Sequence, residues 1–174
     1  MKIVSSVEKL TNRLFTVSED RAVEPGGFEI HRFIVHHRGS AVMMAVDERK
    51  RILLVNQYRL PAQRFLWELP AGSIDPGEKP LQTAKRELKE ETGYRAKSWK
   101  KLLSFYPSPG FLTEKMTIYL ATGLTAGEAT PMGDERIKTR WFTAKEIEAA
   151  IDAGKIQDAK TMLGYCFWKR ARTK

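Results

Sequence analysis

The stretch Gly72-Ser73-Ile74-Asp75-Pro76-Gly77-Glu78-Lys79-Pro80-Leu81-Gln82-Thr83-Ala84-Lys85-Arg86-Glu87-Leu88-Lys89-Glu90-Glu91-Thr92-Gly93-Tyr94 decides how the rest of the chain is read. Within it Leu81, Ala84 and Leu88 stand at i, i+3 and i+7, with polar and mostly charged residues between them. Pro80 suits the first turn of a helix, where a missing N–H costs nothing, and Gly93 suits the residue that ends one. The spacing predicts a helix over 80–92, flanked by loops.

On that helix Glu87 and Glu91 are i and i+4, and Glu87 and Glu90 are i and i+3, so the three carboxylates share neighbouring rows of one face. Like charges so placed destabilise an isolated helix by ~0.2–0.5 kcal/mol per pair. They also lie towards the C-terminal end, where the macrodipole opposes negative charge. A hard cation reverses the sign of both costs. Oxygen-only donors, with room for water and phosphate oxygens, suit Mg²⁺ or Mn²⁺ rather than zinc. Arg86 can hold a carboxylate in place through its planar fork. The competing explanation is a solvated acidic face balanced by Lys85, Arg86 and Lys89.

Working outward, 174 residues suit one domain, and 42% hydrophobic content suffices for a core without disulfides. The single Cys166 excludes an intramolecular disulfide, fits a reducing compartment and reads as a buried packing residue among Met162, Leu163 and Phe167. No stretch approaches the ~20 apolar residues that span a bilayer. Met1-Lys2-Ile3-Val4 runs at once into Ser5, Ser6 and Glu8, leaving no apolar core for a signal peptide, so a cytoplasmic location is expected. The net charge of +9 admits an anionic substrate or nucleic acid. The basic residues are scattered apart from Lys169, Arg170, Arg172 and Lys174, a cluster most simply read as a solvated tail.

Residues 1–25 are mixed and end in the turn signal Pro25-Gly26-Gly27. Phe28 to His37 alternates as strand, and Ser40 to Val46 and Arg51 to Tyr58 read as a hairpin of half-buried strands around Asp47-Glu48-Arg49-Lys50. Strands are expected at Trp99–Tyr106, at Met116–Thr122 and ending at Phe142. A helix capped by Thr143 over 144–153 and a last helix from about Asp158 follow. Strands, helix, strands and two helices, without repeats or long linkers, argue for an α+β domain or an α/β/α sandwich.

The whole opening stretch reads Gly72, five residues, Glu78, seven residues, Arg86-Glu87-Leu88, one residue, Glu90-Glu91, one residue, Gly93-Tyr94. This resembles the Nudix box, Gly-x5-Glu-x7-Arg-Glu-U-x-Glu-Glu-x-Gly-U, in which U is a bulky apolar residue. Every fixed position matches; Tyr94 stands where an aliphatic residue is more usual. The resemblance implies the Nudix fold: an α/β/α sandwich around a mixed sheet with a loop–helix–loop catalytic motif. It further implies that Glu87, Glu90 and Glu91 ligate a divalent metal together with the Ala71 carbonyl, and that Glu78 and Arg86 orient them.

Several fragments outside the box are similar to the ADP-ribose pyrophosphatase branch. They are Gln57-Tyr58-Arg59, Glu68-Leu69-Pro70-Ala71-Gly72, Ser108-Pro109-Gly110 followed by Glu114, and Gly154-Lys155-Ile156 with Asp158-Ala159. Pro109 lies 15 residues after Tyr94, close to the spacing that marks this branch. By resemblance Arg59, Glu68, Pro109, Gly110 and Glu114 contact substrate, with Phe28 a candidate to stack on adenine. The catalytic base is expected in the acidic loop from Gly127 to Glu135, with Glu135 first and Glu91 or Glu114 as alternatives. Relatives exchange N-terminal strands in homodimers, so residues 1–40 are expected to be N-terminal strands for dimerisation or substrate contact and 41–174 the hydrolase domain.

The implied activity is Mg²⁺-dependent hydrolysis of ADP-ribose to AMP and ribose 5-phosphate, or of a similar nucleoside diphosphate sugar such as GDP-mannose. An RNA 5′-end phosphohydrolase would use the basic charge, but no basic, aromatic-lined tract appears in the sequence. A non-catalytic binding module is the remaining alternative, and every box glutamate is present. His31, His36 and His37 lack a second cluster to complete a metal site, and Trp67, Trp99, Trp141 and Trp168 are read as core.

Overall fold

The computed structural model describes residues 1–130 and 136–172; Asp134, Glu135 and Lys174 lie outside the described residues. Two compact units are present. One comprises Met1–Gly39 with Phe105–Met116, and the other Ser40–Ser104 with Thr117–Lys174.

The first unit is a three-stranded antiparallel meander of β1 (Lys2–Thr11), β2 (Phe15–Val23) and β3 (Glu29–His37). The mixed stretch before Pro25 is thus mostly strand. Its hairpin turns at Asn12, whose side-chain oxygen accepts from Leu14 N and Phe15 N at 2.8 and 2.9 Å. β1 is exposed along its whole length, so it carries none of the alternation that reveals a half-buried strand. The segment 105–116 packs on β3 through Val35 N to Phe111 O (2.8 Å) and Thr113 N to Val35 O (2.9 Å).

Among the described residues the second unit has two sheets. One, in the order β7-β4-β9-β8, joins β7 (Ala71–Ser73), β4 (Ser40–Ala45), β9 (Met116–Thr125) and β8 (Arg95–Phe105). The other, β10-β5-β6, joins β10 (Lys138–Phe142), β5 (Ile52–Arg59) and β6 (Arg64–Glu68). Its helices are α1 (Pro80–Thr92), α2 (Ala144–Asp152) and α3 (Ala159–Arg172). β4 is buried at every residue, which explains its unbroken apolar run. On one face Ala41, Met43 and Ala45 join Ala84 and Leu88 of α1 in a single core cluster. On the other face, Met44 of β4 meets α3 where Gly164 has no side chain: a Cβ there would lie 3.3 Å from the Met44 methyl and 2.9 Å from Leu69. Helix, sheet and helix are thereby layered as an α/β/α arrangement.

Two expectations need correction. β4 and β5 do not form a hairpin: they belong to different sheets, joined only by a bridge between Val46 and Ile52. β4 is buried throughout and β5 over Ile52–Val55, the part next to the turn, so the polar turn between them passes from sheet to sheet instead of closing a half-buried pair. Cys166 is exposed. The buried stripe of α3 is Lys160, Thr161, Gly164, Tyr165 and Trp168, and Cys166 falls off it. The helix from Pro80 to Thr92 is as expected, and Gly93 ends it with φ of 75°. Thr143 caps α2 in a reciprocal box with Glu146. No helix among the described residues is long and apolar enough to cross a membrane.

Candidate active site

Arg86 is the hub of the acidic helix. Its Nε and Nη2 donate to the two oxygens of Glu78 at 3.0 and 2.9 Å, and its Nη1 donates to Glu87 (2.6 Å) and Glu90 (3.0 Å). Glu78 also accepts from the Thr83 hydroxyl at 2.7 Å. The Arg86 bond, opposed by some burial and supported by Thr83, holds the Glu78 carboxyl down at about 2. The same carboxylates push Arg86 further up, with Glu78 acting first. Arg86 therefore supplies, within the chain, part of the positive charge that the glutamate spacing demands. Among the described residues no group of three or more His, Cys, Asp or Glu side chains is disposed to hold an ion in this arrangement.

The donor chemistry nevertheless suits a hard cation. Glu87, Glu90 and Glu91 offer only carboxylate oxygens, and Gly72 of β7 lies against Glu87. A Cβ on Gly72 would lie 2.0 Å from the Glu87 carboxyl carbon, so only glycine lets that carboxylate rest on the strand. Glu91 is 6% exposed, and Leu88 between these acids is fully buried, which fixes the rotation of the helix.

The other end of the motif has its own constraint. Gly93 sits at positive φ, and a Cβ there would meet the Gly127 carbonyl at 2.4 Å. Thr130 N donates to Glu90 O at 2.9 Å, so the segment entering residues 131–135 is anchored on the C-terminus of α1. Tyr94, the unusual residue of the motif, packs edge-on against Trp141 with ring centroids 5.5 Å apart. Of the tryptophans, Trp168 is buried and Trp67, Trp99 and Trp141 are half-buried.

Arg59 ends β5 and grips Glu68 at the end of β6, its Nε and Nη2 each 2.8 Å from a carboxylate oxygen. Glu68 is 2% exposed. Burial alone would raise its carboxyl, but Arg59 and then Lys160 outweigh that and hold it below the ordinary range. Arg59 is raised by this bond and, more weakly, by the nearby charge of Glu91. Lys160 donates to both Glu68 (2.5 Å) and Asp158 (2.9 Å). Asp158 accepts from Thr161 N and its hydroxyl, which in turn accepts from Leu69 N at 2.7 Å. Sequence reading singled out Arg59, Glu68 and Asp158 but missed Lys160 and Thr161. The available signal was periodicity: Lys160 lies four residues before Gly164 and eight before Trp168, on the buried stripe of α3.

The remaining candidates belong to the first unit. Phe28 is exposed at the turn before β3, and Pro109 and Gly110 lie in a turn where Ser108 O accepts from Phe111 N and Leu112 N. Gly39 N donates to His37 Nδ1 at 3.0 Å, so that nitrogen is an acceptor and its 3.7 Å approach to Glu114 is not a hydrogen bond. His36, on the opposite face of β3 from His37, instead contacts the Ser18 hydroxyl.

This assembly of box, layers and acidic helix defines a class. The NUDIX domain model matches residues 35–163, and the chain belongs to the Nudix family as a Nudix hydrolase. It is 38% identical over 139 residues to an ADP-ribose pyrophosphatase of Bacillus subtilis (strain 168), covering 79% of this chain and 75% of that one. It is 37% identical over 164 residues to an ADP-ribose pyrophosphatase of Mycobacterium tuberculosis (strain ATCC 25618 / H37Rv), covering 92% and 79%. In fold it is similar to the crystal structure of an ADP compounds hydrolase, with a TM-score of 0.82 at 21% identity, covering 97% of this chain and 92% of the other.

Proposed function

We propose that this protein hydrolyses the diphosphate bond of ADP-ribose, giving AMP and ribose 5-phosphate, with Mg²⁺ as its cofactor and Mn²⁺ as a substitute. The observation that carries this reading is the placement of Arg59. A guanidinium clamped by Glu68 stands close enough to Glu91 to feel its charge, so an anion-binding group borders the acidic helix. A diphosphate between a metal and an arginine is held from two sides.

Glu87, Glu90, Glu91 and the Ala71 carbonyl would hold the metal, which when bound neutralises phosphate charge and acidifies water. Glu78 fixes Arg86, and Arg86 fixes the carboxyl planes of Glu87 and Glu90. Arg59 binds a phosphate oxygen through the edge that Glu68 leaves open. Phe28, Pro109, Gly110 and Glu114 would complete substrate contacts, and Glu135 would accept the proton of the attacking water, with Glu91 or Glu114 in its place otherwise.

A homodimer fits the N-terminal strands of residues 1–40. β1 exposes Ile3, Val4, Val7 and Leu10, each about half exposed or more, along a sheet edge. The remaining chain, residues 41–174, would be the hydrolase domain, acting in the cytoplasm.

The test is release of AMP from ADP-ribose with Mg²⁺, measured beside a panel of other nucleoside diphosphate sugars and a 5′-triphosphate RNA. ADP-ribose should have the highest kcat/KM of the panel. A better rate with another sugar nucleotide or with RNA would reassign the substrate.

A further inference from the structure

Lys160 lies where stability alone would not put a lysine. It is 7% exposed, so its ammonium has given up most of its water. It also occupies the first turn of α3, where the macrodipole opposes a cation. The ammonium bridges Glu68 and Asp158, and the Glu68 oxygen that it contacts is the same one that accepts from Arg59 Nη2. Two cations thus share one carboxylate. Asp158 is held in turn by Thr161, and Thr161 by the backbone of Leu69, so the chain of bonds begins in α3 and ends at the guanidinium of Arg59.

We infer that Lys160 is a positioning residue for anion binding: by sharing Glu68 and bracing it against Asp158, it sets the plane of Arg59. This rests on the reading of Arg59 as a phosphate-binding group. Were Glu68 to serve Arg59 alone, its carboxylate would be free to rotate, loosening the guanidinium that meets a diphosphate. With Lys160 and Asp158 bracing Glu68, Arg59 is held through Nε and Nη2 while its side chain keeps 39% exposure.

The test combines kinetics on ADP-ribose with equilibrium binding of inorganic pyrophosphate, for Lys160→Met, Lys160→Arg, Arg59→Lys and the double variant Lys160→Met/Arg59→Lys. Lys160→Met should raise both KM and the pyrophosphate Kd by roughly 10-fold, with a smaller change in kcat. Lys160→Arg, which keeps the charge, should restore much of the loss. In the double variant the Lys160 change should add little to Arg59→Lys, because it acts through that arginine. Full additivity, or a loss confined to kcat, would overturn the proposal. Should Lys160→Met fail to fold, Lys160→Gln, which keeps one donor towards Glu68, is judged by the same criteria. Failure of the wild type to cleave ADP-ribose counts against the substrate reading alone, since the pyrophosphate arm still decides the role of Lys160.

Discussion

Gly72 and Glu87 approach so closely that a Cβ on Gly72 would lie 2.0 Å from the carboxyl carbon of Glu87. The atoms in the way are the far end of a flexible side chain, so Gly72→Ala can be accommodated by swinging Glu87 aside. The cost then falls on the site and not on the fold. Gly72→Ala should keep its thermal midpoint close to the wild type while losing roughly 10–100-fold in kcat/KM, with a higher Mg²⁺ requirement. Calorimetry paired with metal-titrated kinetics checks this, and a variant that unfolds with its activity per folded molecule intact would contradict it.

Gly93 is close-packed in a different sense. Its missing Cβ faces the backbone of Gly127, whose carbonyl would be 2.4 Å away, and its φ is 75°. Neither the left-handed conformation nor a rigid carbonyl can give cheaply. Gly93→Ala should therefore destabilise the fold by roughly 2–5 kcal/mol, from the two penalties together. Denaturant unfolding of the two glycine variants side by side should show a large loss here and a small one at Gly72.

Glu78 links the motif to pH. Its folded-state carboxyl is depressed from 4.5 to about 2, chiefly by the Arg86 hydrogen bond. A depressed carboxylate contributes stability that is fully present above pH 4.5 and is lost as pH falls towards about 2. Unfolding measured across that window should show the wild type losing its advantage over Glu78→Gln as the pH drops. An advantage that stays constant to the acid end would mean that the Arg86–Glu78 pair does not carry it.

Much of this was legible because the box encodes its geometry locally. Leu81, Ala84 and Leu88 set the buried stripe, Gly93 sets the end, and the glutamates follow by rotation. β1 was illegible as a strand pattern because no face of it is buried, so its residues carry no period. The β4–β5 hairpin misled because strand propensity cannot say which sheet a strand joins; that depends on what covers both faces of β4. Arg86 could be placed beside the acids, but its simultaneous hold on Glu78, Glu87 and Glu90 depends on how the 75–79 loop folds back. Lys160 reaches Glu68 across 92 positions of chain, a contact that no local window contains.

On the proposed function, Glu91 is the box acid whose substitution should separate binding from turnover. It is buried, and its charge reaches Arg59, which is raised partly on its account. Glu91→Gln keeps the shape of the side chain and removes the charge. Turnover of ADP-ribose should fall roughly 100-fold or more if Glu91 is a metal-donor carboxylate, as proposed. KM should stay level or drop, since Arg59 no longer has that negative charge competing with the substrate. Far-ultraviolet circular dichroism should be unchanged. The same measurement on Glu135→Gln divides the roles. A large kcat loss there at unchanged Mg²⁺ dependence makes Glu135 the proton acceptor, whereas a wild-type rate returns that task to Glu91 or Glu114.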